Sequence, residues 1–332
     1  MYLRQFIPMA SARLKIAPEI EYQLRKAKYG VFNHSAVQIC AWTKKSLHSE
    51  GVCYKQQFYG IDTHRCVEFS PAAALCENNC LFCWRPMEFM RFSEMPASEA
   101  DDPQVIYKNL LAERKKLLTG YPGDGKTDLK KHAESLVPTH FAISLSGEPT
   151  LYPKLPEMVK FLKNLPDTRS IFVVTNGQEP EMLEKLSLSP PTQLYLSVNA
   201  PNKALFGKIN RPGRKDAWAR FNRSLEIFSR TNARRVLRMT MIKGMNMDGK
   251  LAKHYAGIIA KAKPHFVEVK AYMWIGFSRN RLGQEKMPFH KEIVEFAEKI
   301  AAESGYEIID EKRDSRIVLL GSRDERIDRF IK

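Results

Sequence analysis

Short apolar runs recur along the last two-thirds of the chain, each parted from the next by a stretch of helical spacing. Phe141–Leu145, Ile171–Val174, Leu194–Val198, Val236–Ile242, Phe266–Tyr272 and Ile317–Leu320 are four to seven residues long. They mix β-branched, aromatic and aliphatic side chains, as buried strands do. Helices are predicted between them, near 153–164, 179–187, 216–230, 250–262 and 290–304. An earlier helix opens at Asp102-Pro103, an N-cap followed by proline at the first helical position, and continues through Val105, Ile106, Leu110, Leu111, Leu117 and Leu118. Residues 120–138 hold Gly, Pro, Asp and Lys and predict a loop. Residues 1–39 predict a basic segment with a helix from about Pro18 to Lys28. Strands alternating with helices imply parallel βαβ units, hence an α/β fold whose natural closure is a partial (β/α) barrel. Chemistry in such a barrel gathers at the C-terminal ends of the strands.

Those ends are polar and glycine-rich. The first carries Ser146-Gly147-Glu148-Pro149-Thr150-Leu151, where Gly147 admits a close backbone approach and Glu148 offers acceptors to an ammonium group. The next two carry Thr175-Asn176-Gly177 and Ser197-Val198-Asn199-Ala200-Pro201. Ser197 and Asn199 share one face by the two-residue period of a strand, as do Arg238, Thr240 and Ile242. Core packing is the alternative reading for Thr240 and Ile242.

At 332 residues, 44% apolar and 27% charged, the chain is long enough to bury a large core. No apolar run approaches the ~20 residues that span a bilayer, and the N-terminus lacks the pattern of a signal peptide, so no membrane partner and a cytoplasmic location are expected. Lys and Arg outnumber Asp and Glu by 53 to 37, a net charge of +16 that attracts polyanions.

All six cysteines fall into two triplets. Cys76, Cys80 and Cys83 form C-x3-C-x2-C beside Leu81, Phe82 and Trp84; Cys40, Cys53 and Cys66 are spaced by twelve residues each time. Without an export signal, this usage favours reduced, metal-binding thiols over disulfides. Soft thiolates suit iron–sulfur clusters or zinc, and a structural zinc site needs four ligands where the first triplet supplies three. Three thiolates on a [4Fe-4S] cluster leave one iron open. A second triplet favours a second open cluster, with His48 or His64 as the alternative fourth ligand.

The motif C-x3-C-x2-C, with an aromatic before its last cysteine, resembles that of the radical S-adenosylmethionine (SAM) superfamily. The wider set of C-x12-C-x12-C, Cys83-Trp84-Arg85-Pro86, Ser144-Leu145-Ser146-Gly147-Glu148, Val174-Thr175-Asn176-Gly177, Asn210-Arg211-Pro212 and Val269-Lys270-Ala271-Tyr272-Met273-Trp274 is similar to the tRNA 4-demethylwyosine synthase family, over about residues 30–300. The resemblance implies two [4Fe-4S] clusters, with SAM chelated at the first and cleaved to a 5′-deoxyadenosyl radical. It implies Gly147 and Glu148 at the SAM amino group, and Thr175, Asn176, Ser197, Asn199, Arg238, Thr240 and Ile242 around the rest of SAM. It also implies condensation of N1-methylguanosine at position 37 of phenylalanine tRNA with two carbons of pyruvate. The chain resembles the archaeal form, expected to lack the flavodoxin-like domain of eukaryotic members, so an external flavodoxin or ferredoxin is the expected electron donor, and a monomer is expected.

Pyruvate is held either by the second cluster acting as a Lewis acid or by a lysine Schiff base. Lys55, two residues after Cys53, and Lys270 are the candidate lysines. Lys44, Lys45, Arg85, Arg211, Arg214, Lys215, Arg279 and Arg281 are candidate phosphate contacts, with Trp42, Tyr59 or Trp274 to stack on a splayed base. The expected organisation is 1–70 for the auxiliary cysteines, 71–304 for the barrel and 305–332 as a C-terminal extension. A radical SAM activase or peptide-modifying enzyme, and a non-catalytic zinc-stapled RNA-binding protein, are the alternative readings.

Overall fold

The computed structural model describes residues 13–88 and 94–332, so the first twelve residues of the expected basic segment lie outside the described residues. Helix α1 (Pro18–Lys26) stops two residues earlier than its pattern predicts, because Lys28 turns into the left-handed region at φ 63°. A hairpin follows, β1 (Tyr29–Phe32) and β2 (Ser35–Gln38), then α2 (Ala41–Leu47), α3 (Tyr54–Tyr59) and β3 (Cys66–Ser70). Helices α4 (Pro103–Leu118) and α5 (Leu129–Ser135) lead to β4 (His140–Ile143). Next come α6 (Leu155–Lys163), β5 (Ser170–Thr175), α7 (Pro180–Leu186), β6 (Gln193–Ser197), α8 (Lys203–Asn210) and α9 (Ala217–Phe228). The chain ends with β7 (Arg234–Met241), α10 (Ala252–Ala262), β8 (Phe266–Ala271), α11 (His290–Ser304), β9 (Tyr306–Lys312) and β10 (Ile317–Ser322).

The strands form one open sheet in the order β1-β2-β3-β4-β5-β6-β7-β8-β10-β9. Strands β3 to β8 are parallel; antiparallel pairing at each side extends them with β2–β1 and β10–β9. The barrel is therefore partial, as expected. The sheet runs unbroken across residues 70 and 304, since β3 is already its first parallel strand and β9–β10 continue it.

Alternation along each strand sorts the side chains into two cores. Phe141, Ile143, Ile171, Val173, Leu194, Leu196, Leu237, Met239, Val267 and Val269 face outward and join the main apolar cluster with the helices. Ala142, Phe172, Tyr195, Val236 and Phe266 face the concave side, where Tyr54, Phe58, Tyr59 and Ile61 from α3 and its C-terminal turn pack on them. Register pairs Ala142 with Phe172 and Val236 with both Tyr195 and Phe266; Phe172 and Tyr195 are two residues out of register but their rings lie 6.2 Å apart, and together these residues form the barrel floor. Nearer the C-terminal ends, Ser144, Val174, Ser197, Arg238, Thr240 and Lys270 are half-exposed in stretches where most neighbours are buried. They trace the wall of an open concave cavity above that floor.

Four helices were not anticipated: α2 and α3, in the stretch between the early cysteines, and α5 and α8. Helix α5 lies within the predicted loop 120–138 and is set by Asp128, whose carboxylate accepts from the Lys131 N–H at 3.1 Å. Helix α8 is set by Asn202 accepting from Leu205 N–H at 3.0 Å.

Candidate active site

The first cysteine triplet sits in the loop that leaves the C-terminal end of β3. Its three thiols are half-exposed and free of disulfides. Segment 209–213 holds the loop on one side: Asn79 N–H donates to the Arg211 carbonyl at 3.2 Å, Leu81 N–H to that of Ile209 at 2.9 Å, and Gly213 N–H to that of Glu77 at 2.8 Å. Segment 276–281 holds the other side. Phe277 N–H donates to the Trp84 carbonyl at 3.2 Å, and the Arg281 guanidinium donates to the carbonyls of Leu81 and Cys83. Two glycines permit this packing. A Cβ on Gly147 (φ +70°) would stand 2.0 Å from the Ala72 carbonyl oxygen, and one on Gly276 (φ +55°) 2.4 Å from that of Trp84. Burial pushes all three thiols up in pKa, Cys76 and Cys80 far up. Three unpaired soft donors in a desolvated loop fit a [4Fe-4S] cluster with one iron open, since metal ligation supplies the charge that burial opposes.

Beside this loop, Asn176 connects two of the other expected residues, Cys76 and Glu148, and also Glu77. Its Nδ2 donates to Cys76 Sγ at 3.8 Å and to Glu77 Oε2 at 3.2 Å, and its backbone N–H donates to Glu148 Oε2 at 2.8 Å. Glu148 Oε1 accepts from both the N–H and the hydroxyl of Thr150, at 3.1 and 2.6 Å. Much of the Glu148 acceptor capacity is thus used within the protein. Glu77, which the sequence did not single out, is buried with Oε1 lacking a hydrogen bond, as is Asn199 Oδ1. These orphan acceptors suit a ligand carrying donors, such as SAM with its ammonium and ribose hydroxyls. Thr175 is buried, with its hydroxyl accepting from Gly177 N–H at 3.0 Å. Ser197 and Thr240 line the cavity, whereas Ile242 lies beyond the end of β7 in the main apolar cluster. Buried Asn246, also missed, fixes this rim by donating to the carbonyls of Asn199 and Thr240 and accepting from Ile242 N–H.

The second triplet gathers at the opposite end of β3. Cys40 precedes α2 and accepts from Thr43 N–H at 3.4 Å, Cys53 precedes α3, and Cys66 begins β3. The thiols are near enough for the charge of each to raise or be raised by another, and burial pushes all three up, Cys40 to about 11. Arg114 is buried beneath them, its Nη2 donating to the carbonyls of His64 and Cys66 at 3.5 Å. The two histidines considered as fourth ligands have acidic partners instead: His64 Nε2 lies 2.6 Å from Glu134 and His48 Nε2 3.2 Å from Asp124. Among the described residues, no three Cys, His, Asp or Glu side chains close on a point as ligands of a single ion do.

Between the two ends lie both candidate lysines. Lys55 is buried, with Nζ 4.4 Å from the Phe172 ring centroid and 4.9 Å from that of Tyr195. Its Nζ makes no hydrogen bond or ion pair among the described residues, and it lies near enough to Cys53 and Cys66 to act on their charge. Lys270 donates to the Ser315 carbonyl at 2.7 Å, and its pKa is lowered to about 8 by burial and by Arg238. Arg238 contacts Tyr54 through one Nη and lies 3.4 Å from Glu268 through Nε, at the level of the floor. Glu268 and Tyr54 were not anticipated, although a glutamate among apolar residues in Phe266-Val267-Glu268-Val269 was a visible signal.

Two expected RNA contacts are corrected. Arg85 is buried between the Tyr29 hydroxyl and the Trp84 ring, 3.2 Å from its centroid, which closes it to phosphate. Tyr59 is fully buried and donates to Glu268 at 2.8 Å, so it cannot stack on a base. Lys45, Arg211, Lys215 and Arg279 are exposed; Arg281 is held by the cysteine loop and Arg214 by Glu179.

The family model for the radical SAM superfamily matches residues 72–253, and one for wyosine base formation matches residues 261–322. The Pyrococcus abyssi S-adenosyl-L-methionine-dependent tRNA 4-demethylwyosine synthase is 45% identical over 306 residues, covering 91% of this chain and 88% of that protein. A solved structure of TYW1 with a lysine–pyruvate adduct bound superposes with a TM-score of 0.85 at 36% identity, covering 95% of this chain and 99% of the other. A crystal structure of archaeal TYW1 gives 0.78 at 34% identity, with 95% and 100% covered. The chain belongs to the radical SAM superfamily and, within it, to the tRNA 4-demethylwyosine synthases.

Proposed function

We propose that this protein builds the 4-demethylwyosine base on phenylalanine tRNA, joining N1-methylguanosine at position 37 to two carbons of pyruvate. Cys76, Cys80 and Cys83 hold the SAM-binding [4Fe-4S] cluster; Cys40, Cys53 and Cys66 hold a second. Bound together, the first cluster and SAM supply the radical that takes hydrogen from the N-methyl group. The second cluster, a cytoplasmic flavodoxin or ferredoxin as electron donor, and a monomeric state belong to the same reading. No described helix is long and apolar enough to cross a membrane.

The placement of Lys55 carries the proposal. Its Nζ rests on two aromatic faces beside Cys53 and Cys66, with no carboxylate bound to it among the described residues, so it is available to a keto carbon. Loss of water then gives an imine that holds the keto carbon for carbon–carbon bond formation. Lys270, tied to the Ser315 carbonyl, is less free to do so. A relative's lysine–pyruvate adduct supports the same chemistry. The test is anaerobic turnover with SAM, pyruvate, dithionite and methylated tRNA, read by nucleoside mass spectrometry. Lys55→Ala lowers the rate by about 1,000-fold, equivalent to ~4 kcal/mol of barrier. Wild-type turnover in that variant at saturating pyruvate refutes the assignment.

A further inference from the structure

Arg85 is a buried cation, 4% exposed, with no carboxylate at ion-pair distance among the described residues. Its guanidinium touches the Tyr29 hydroxyl and stacks on the Trp84 ring, 3.2 Å from the centroid. Burial pushes the Tyr29 hydroxyl far up in pKa, so it stays neutral and supplies no counter-charge. A guanidinium keeps its charge when buried, and a buried charge without an opposite one is costly. The anionic groups close enough to act on Arg85 are Glu68, Cys83 and Cys40, one thiol from each triplet among them. Sheet register accounts for that placement. Tyr29 pairs with Gln38 on β2 and Gln38 with Glu68 on β3, so the three side chains share one face. Cys40 stands two residues past Gln38, and Cys66 two before Glu68, a step of about 7 Å along the sheet. Arg85 follows Cys83 by two residues and enters from the other side. Both triplets have further cations beside them. Lys55, Arg238 and Lys270 act on Cys53, and Arg114 faces Cys40 and Cys66; Arg281 acts on Cys80 and Cys83 but is paired with Glu88. Arg85 faces a thiol of each triplet and has no carboxylate bound to it.

We propose that Arg85 is a counter-charge shared by the two clusters, raising the potential at which each accepts an electron from the external donor. The inference rests on the reading that Cys40, Cys53 and Cys66 hold a second cluster. Three thiolates on a [4Fe-4S] core leave a net negative charge that grows by one on reduction, so a fixed cation nearby favours the reduced state. The alternative is that Arg85 only ties the cysteine loop to β1 through Tyr29.

The test is an anaerobic redox titration of the reconstituted protein, read by electron paramagnetic resonance after iron and sulfide are counted. Arg85→Gln lowers both midpoints. At a fixed potential the ratio of reduced to oxidised first cluster falls about tenfold, equivalent to ~59 mV for one electron, and the second cluster moves in the same direction. Arg85→Lys keeps the charge and recovers most of each midpoint. Tyr29→Phe removes the tie but not the charge, and holds both midpoints near wild type. Unchanged midpoints in Arg85→Gln, a fall at the first cluster alone, or equal falls in Arg85→Gln and Arg85→Lys overturn the proposal. If Arg85→Gln folds by circular dichroism but retains no clusters, retention becomes the readout: wild-type iron content in Arg85→Lys supports the counter-charge, and loss from both variants overturns it. A wild type that holds only about four iron and gives one cluster signal refutes the second-cluster reading, and with it the sharing, before any variant is compared.

Discussion

The Tyr59 hydroxyl donates to Glu268 Oε1 at 2.8 Å, fastening α3 to β8 across 209 residues of sequence. This bond closes the barrel floor from below and keeps Glu268 in place behind Arg238. Tyr59→Phe leaves a buried carboxylate oxygen without its donor and costs about 1–3 kcal/mol of stability. Glu268→Ala is worse, because it strands the Arg238 charge in an apolar wall, at about 3–5 kcal/mol. Urea unfolding under anaerobic conditions checks the order of the two. Equal stability of both variants and wild type contradicts this account of the floor.

Gly147 is a second fixed point. Its φ of +70° disfavours any side chain, and a Cβ there would overlap the backbone of the cysteine loop at Ala72 and Leu75. Gly147→Ala therefore displaces the loop rather than a flexible side chain. The variant is expected to fold with a loss of about 1–3 kcal/mol. Its iron and sulfide content should fall by the share of the first cluster, with SAM binding lost in parallel. Wild-type iron content with undiminished SAM affinity rules this out.

Three buried histidines make the fold sensitive to acid. His34 Nε2 accepts from Asp101 N–H at 2.9 Å, His140 Nε2 from Asp62 N–H at 3.1 Å, and His265 Nδ1 from Arg235 N–H at 2.9 Å. A ring nitrogen that accepts from an amide carries no proton, so each ring is neutral in the folded state. Burial lowers all three pKa values, that of His140 from 6.5 to about 4. Between these values the unfolded chain binds more protons than the folded one, so stability rises with pH through that window. At pH 7 the rings are neutral in both states and no penalty remains. Below pH 4, His140 alone costs about 3 kcal/mol, and the others add to it. Denaturant midpoints from pH 4 to 7 test the sign: a midpoint that falls as pH rises refutes it.

The parallel barrel was legible because its strands are buried on both faces and therefore read as continuous apolar runs. The cysteines were legible because six thiols in two spaced triplets have few other uses. What escaped were elements whose signals are weak or shared with loops. Strands β1 and β2 are four residues each, and β9 has an exposed face in the pattern of Glu307, Ile308 and Ile309. Helix α5 is built from polar residues and one aspartate cap. In the site, its place after Cys53 made Lys55 a candidate, whereas the Tyr54–Arg238–Glu268–Tyr59 group depends on register between β7, β8 and α3, which no local pattern encodes. Arg85 and Tyr59 were misread for the same reason: composition marks a basic or aromatic residue but not the side of the sheet on which it is buried.

The exposed cations set the last prediction, on tRNA affinity. Lys45 lies 5.0 Å from the Trp42 centroid, and Arg279 4.7 Å from that of Trp274, pairing charge with a stacking surface. Arg211 follows α8 in the segment that straps the cysteine loop, and Lys215 lies four residues beyond it. If these four meet phosphates, each neutralising substitution to Gln lowers the slope of log affinity against log salt by about 0.7–0.9 and weakens binding to any tRNA alike. Arg223 serves as the control, since it is paired with Glu181 and Glu184 on the outer helix α9. Filter binding at several salt concentrations separates the groups. Loss of slope in Arg223→Gln, with none in Arg211→Gln or Lys215→Gln, places the RNA on the outer helices and away from the cavity mouth.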